Sequence, residues 1–171
     1  MHRHIAPPLA RGLVALGLLL APLYGCSSLD FGSSFGGAPQ PVAQLPDTGN
    51  MTADVALASA RSHFRNSDFG YSAELYKKVV ELSPKNPEGY VGLGASYDQL
   101  GRFDLSDRVY ATLYKLTGGT TQYYNNLGYS YLLRGDTKSA LANFRKAKSI
   151  DPGNVVVANN LRLLASATGR A

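Results

Sequence analysis

The chain has 171 residues, a single cysteine, no tryptophan, three histidines and no long apolar run. One cysteine, Cys26, rules out an intramolecular disulfide and any multi-cysteine metal site. His2 and His4 lie at the extreme N-terminus, so beyond Cys26 only His63 remains. A lone histidine with no second thiol supplies neither a nucleophile–base pair nor a spaced metal set. No nucleophile elbow and no phosphate-binding glycine loop occurs. Nothing here points to an enzyme or to a cofactor, metal or small-molecule substrate. The excess of base over acid is modest, 17 Lys+Arg against 12 Asp+Glu. No basic stripe is interleaved with aromatics, so nucleic acid is not an expected partner.

The longest apolar stretch, Gly12 to Tyr24, follows a short positive segment containing Arg3 and Arg11. It falls short of the ~20 residues a bilayer core requires, and it has the layout of a secretory signal. It ends in Leu23-Tyr24-Gly25-Cys26. This resembles the bacterial lipobox, with Tyr24 bulkier than the usual residue there. The resemblance implies a diacylglyceryl group on the Cys26 thiol and removal of residues 1–25. Two or more acyl chains, at ~0.8 kcal/mol per buried CH2, hold a protein on a membrane durably. Ser27 in place of Asp implies sorting to the outer membrane, facing the periplasm. Residues 26–52 then form a Gly/Ser/Pro-rich linker with no helical period. Read as a flexible leash, it reaches roughly 25–30 Å.

From Ala53 the chain repeats itself every 34 residues, in the registers 53–86, 87–120 and 121–154, without insertions. Ala60, Gly94 and Gly128 occupy the eighth position of each unit, where two helices can approach closely. His63, Tyr97 and Tyr131 follow three residues later, and Tyr76, Tyr110 and Phe144 fall on the second helix. Gly101 and Gly135 suit turns of positive φ, and Pro84 and Pro152 end second helices. In the second unit Gly118-Gly119 replaces the proline, which predicts a looser corner. Residues 155–171 supply one more helix, with Val157, Leu161 and Leu164 on its apolar face.

This pattern resembles the tetratricopeptide repeat. The resemblance implies an all-α, right-handed superhelix of three repeats and a C-terminal capping helix, seven helices in all. It also implies a concave groove that binds protein segments. Its expected lining includes Arg61, Phe64 and Arg65 from the first repeat and Val91 and Asp98 from the second. Gln122, Asn125, Asn126, Tyr129 and Leu133 come from the third, and Asn159 from the cap. The doublets Asn125-Asn126 and Asn159-Asn160 stand at equivalent places. Such amides donate and accept at once, so they could form a ladder for an extended peptide or simply space helices. Repeat proteins that clamp chaperone C-termini use Lys, Arg and Asn at set groove positions. Leu57, Gly92 and Gln122 occupy three of these here.

The combination of lipobox, short tether, three repeats and a terminal "NNLRLL" helix resembles TadD-type lipoproteins of Flp (tight adherence) pilus assembly. That resemblance implies partners among the pilus secretin or assembly components. A pilotin-like lipoprotein of another secretin system, and a periplasmic adaptor recruiting cell-wall enzymes, share the same architecture.

Overall fold

The computed structural model describes residues 38–45 and 50–169. Cys26 and the signal segment lie outside the described residues. Seven helices occur among the described residues: α1 (Ala53–Arg65), α2 (Phe69–Leu82), α3 (Pro87–Gln99), α4 (Phe103–Thr117), α5 (Thr121–Leu133), α6 (Thr137–Ile150) and α7 (Val155–Ala167). None of the helices is long and apolar enough to cross a membrane.

The odd-numbered helices each begin on a side chain that accepts from a free amide of the first turn. Thr52 accepts from Val55 N (3.3 Å), Asn86 from Glu88 N (3.0 Å) and Thr120 from Tyr123 N (3.1 Å). Asn154 accepts from both Val156 N and Val157 N. Such caps satisfy donors that the helix itself cannot. Pro87 adds a pre-set φ at the start of α3. The turns into α2, α4 and α6 pass through Ser67 (φ 62°), Gly101 (φ 68°) and Gly135 (φ 77°), one residue per repeat. Gly169, a further 34 residues on, has φ 64°.

Helices α1, α3 and α5 each pack on their own second helix and on the first helix of the next unit, and each second helix also packs on that next first helix. Among the described residues the backbones of successive second helices do not approach one another closely. The core therefore runs as a strip between the two rows. Tyr110 and Phe144, 2% and 0% exposed, lie across Gly94 and Gly128. A Cβ on Gly128 would sit 2.7 Å from the Phe144 ring and 3.2 Å from the Ala140 carbonyl oxygen. The Tyr76 ring instead lies over Gly92, one repeat further on. Burying side chains of this size contributes about 1.5–3 kcal/mol each.

Two local expectations change. The Gly118-Gly119 corner is covered on one side: Tyr124 closes over Gly119, 2.6 Å from where a Cβ would stand, while Gly118 faces open space. The linker is not free along its whole length either. Between residues 38 and 45 the backbone lies against the helices: Gln40 N donates to the Leu100 carbonyl (2.8 Å), and Val42 and Leu45 pack on the first core cluster. Gly70 admits this strap, since a Cβ there would approach Ala43 N to 3.1 Å. Val42 and Leu45 supply the apolar surface that the Gly/Pro-rich composition obscures.

Candidate protein-binding groove

The first helices α1, α3, α5 and α7 stand side by side and line the concave face. Its central cleft, about 280 Å3, is walled by Phe64 of α1, Ala95 and Gln99 of α3, Asn126 and Tyr129 of α5 and Asn160 of α7. Asp98, Tyr110 and Asn125 form its floor. A neighbouring cleft of about 330 Å3 opens between the starts of α5 and α7, lined by Gln122, Asn125, Asn126, Asn154 and Val156. The structure thus brings Phe64, Asp98, Asn125, Asn126 and Tyr129 into one cleft, with Gln122 in the next.

Several expected contact residues are already engaged. Asp98 is only 4% exposed, and it accepts from Tyr110 Oη (2.8 Å) and Ser130 Oγ (2.6 Å). Burial pushes its carboxyl up from the usual range; the hydroxyls of Ser106, Ser130 and Tyr110 and the charge of Arg134 hold part of that rise back. Burial, followed by Asp98, likewise raises the Tyr110 phenol well above its ordinary value. Asp98 is therefore a structural centre and not a free ligand. Arg134 continues the network, donating to Asp107 through both terminal nitrogens (3.0 and 2.5 Å) and to Ser130 Oγ (2.8 Å). Its guanidinium lies 4.8 Å from the Phe103 ring centre. Groups from α3, α4 and α5 meet here.

Asn160 Nδ2 donates to Asn125 Oδ1 (2.9 Å), so one rung of the amide ladder joins α7 to α5 instead of facing a ligand. Asn126 stays half-buried in the cleft wall. Arg61 pairs with Glu88 across α1 and α3, its Nε donating at 2.7 Å, so its charge is offset within the groove. Arg65 is exposed and makes no ion pair among the described residues. Val91 and Leu133 are half-buried outside both clefts, and Asn159 is exposed, accepting from Arg162. His63 is half-buried, with Nδ1 3.3 Å from Asp68 Oδ2 and its ring centre 5.4 Å from that of Tyr71. Leu57 belongs to the core and the Tyr76 ring covers Gly92, so neither place can hold a cationic clamp.

Sequence reasoning missed the Asp98–Ser130–Arg134 network. One signal was available: Ser62, Ser96 and Ser130 recur at the same position of successive units. Ser96 Oγ donates to the Gly92 carbonyl (2.8 Å) and lies 3.0 Å from Ser72 Oγ, tying the first unit to the second.

Residues 121–154 match the family described as Tetratricopeptide repeat. The chain is 26% identical over 111 residues to the Small glutamine-rich tetratricopeptide repeat-containing protein 2 of Mycosarcoma maydis, covering 64% of this chain and 31% of that protein. It thus spans about a third of that relative's length. Among solved structures, TTC0263, a thermophilic TPR protein of Thermus thermophilus, superposes with a TM-score of 0.63 at 18% identity, covering 70% of this chain and 67% of that one. The first TPR of Spaghetti (RPAP3), bound to an HSP90 peptide, superposes at 0.58 with 19% identity, covering 69% and 94%. The fold is an all-α tetratricopeptide-repeat superhelix.

Proposed function

We propose that this tetratricopeptide-repeat protein is a non-catalytic scaffold that holds a segment of a partner protein in its concave groove. In our reading it is anchored through lipid on Cys26 to the periplasmic side of a bacterial outer membrane. There it assists assembly or localisation of a Tad/Flp pilus secretion complex. The observation that carries the binding role is the cleft spanning all four first helices, with an aromatic wall at Phe64 and Tyr129, amides at Gln99 and Asn126, and Asn160 closing its α7 side. Aromatic faces supply apolar contact, and the amides satisfy the backbone groups of an extended or helical segment. A related fold carries an HSP90 peptide. The present chain has Leu57, Gly92 and Gln122 where clamp-type repeat proteins use polar and cationic groups, so its ligand is held by apolar and amide contacts. The anchor and the pilus role rest on the lipobox and on the resemblance of the whole layout to TadD-type lipoproteins.

The test is a crosslinked pull-down from bacterial membranes with the wild type, Cys26→Ser, Asn126→Ala and Tyr129→Ala. Capture of a secretin or another pilus component, mislocalised by Cys26→Ser and weakened by the groove variants at unchanged helical content, supports the reading. Recovery of cell-wall enzymes replaces the pilus role with that of an adaptor. Equal capture by the groove variants moves the site off the concave face.

A further inference from the structure

Helices α2, α4 and α6 each cover the first helix of their own unit. Among the described residues α7 has no such cover. Yet Gly169 takes the left-handed turn that leads into a second helix at Ser67, Gly101 and Gly135. What remains between α6 and α7 is a cleft of about 500 Å3 that shares no lining residue with the groove clefts. Leu141, Leu161, Leu164 and Ala165 line it, with Lys138 and Arg145 at its rim and no acidic residue in its walls. Neither cation forms an ion pair among the described residues.

The repeat itself indicates what fits there. At the other end of the solenoid the strap crosses Gly70 and Leu100 in extended form. One unit on, the equivalent seat between Asp104 and Arg134 is taken by the Arg134 side chain over Phe103. Two units on, the same two positions are Lys138 and Thr168, and both border the open cleft. One seat thus holds an extended segment, one holds an arginine and, among the described residues, the third is open. Lys138 stands where Gly70 lets the strap backbone approach, so an occupant must pass an ammonium group. Residues 38–45 carry no charge, which makes the strap of a second copy a poor match. We infer that the α6–α7 cleft docks an extended partner segment with apolar side chains spaced like Val42 and Leu45 and a carboxylate beside them to meet Lys138 and Arg145. This site lies outside the groove proposed above and does not depend on it.

Fluorescence anisotropy with the full-length protein in detergent micelles tests this with two labelled probes: the peptide APQPVAQL, and the same peptide flanked by aspartate at each end. The flanked probe is expected to bind saturably and at least tenfold tighter than the plain one. Lys138→Glu/Arg145→Glu, which changes only exposed side chains, should weaken it at least tenfold. Ala165→Gln, which narrows the cleft without altering charge, should weaken it as well. Asn126→Ala, in the groove, should leave it unchanged. The inference is overturned by an absence of saturable binding, by wild-type affinity in either cleft variant, or by loss through Asn126→Ala. Self-association abolished by Lys138→Glu/Arg145→Glu would also overturn it, by assigning the cleft to a second copy.

Discussion

Replacing Asp98 separates two roles that its carboxylate plays at once. In the folded chain it accepts from Tyr110 and Ser130, both almost fully buried. Asp98→Ala strands both hydroxyls, at about 1–3 kcal/mol each, and leaves a small void. A loss of roughly 3–5 kcal/mol follows from these terms. Asp98→Asn keeps the shape: its amide oxygen still accepts from Ser130, and its NH2 can donate to the Tyr110 oxygen. That variant loses only the charge-assisted part, about 1 kcal/mol, and is relieved of burying a charge. The pH dependence carries the sharper test. Burial raises the folded pKa of Asp98 above its unfolded value, so the native state holds the proton longer. The associated stability is fully present below about pH 3.9 and fades as pH climbs through the raised folded pKa, by about 1.36 kcal/mol per unit of separation. Asparagine does not titrate, so Asp98→Asn should gain on the wild type as pH rises through that window. Urea unfolding followed by far-UV circular dichroism from acid to neutral pH measures both effects. Parallel wild-type and Asp98→Asn curves, or an Asp98→Ala loss under about 1 kcal/mol, would refute this account.

Three further outcomes follow from the backbone and the packing. Ser67 is the one non-glycine at the repeated left-handed turn, so Ser67→Gly should stabilise by about 1 kcal/mol and raise Tm, while Gly101→Ser should do the reverse. Gly128→Ala drives a methyl into the Phe144 ring and the Ala140 carbonyl; it should lose about 1–2 kcal/mol in urea melts despite the better helix propensity of alanine. Gly70→Val puts its branches where Ala43 lies, so thermolysin should cut the strap several-fold faster than in the wild type while the helical signal is unchanged.

The period of 34 residues made the helical frame readable, because each unit carries its own small-residue contact, turn and cap. Helices α1, α3, α5 and α7 begin at Ala53, Pro87, Thr121 and Val155, each behind a Thr or Asn that caps it. The groove was legible in outline for the same reason, since Phe64, Asn126 and Tyr129 fall on one face of successive first helices. What periodicity could not show is where a polar side chain finds its partner. Asp98 sits at a groove-facing position, but Tyr110 and Ser130 draw its carboxylate inward. The asparagine ladder is half consumed because Asn160 and Asn125 stand close enough to satisfy each other. The strap escaped notice because composition averages over a segment, whereas docking needs only Val42, Leu45 and one backbone hydrogen bond at Gln40.

The Asp98–Ser130–Arg134–Asp107 network also bears on how the solenoid comes apart. A stack of repeats behaves as a row of neighbours, each melting alone or together with the next according to their coupling. Pulling α5 away would take Ser130 from the buried Asp98 carboxylate, which keeps Tyr110, and would break the Arg134–Asp107 pair, a cost above that of losing an apolar contact. The second and third units are therefore bound into one cooperative block. Helix α7 holds to the rest through Val157, Leu161, Leu163, Leu164 and a single amide pair, with no ion pair across the joint among the described residues. Amide hydrogen exchange would then fall into two tiers, fast in α7 and slow and common to α3 through α6, so the cap can open and close while the centre of the groove keeps its shape.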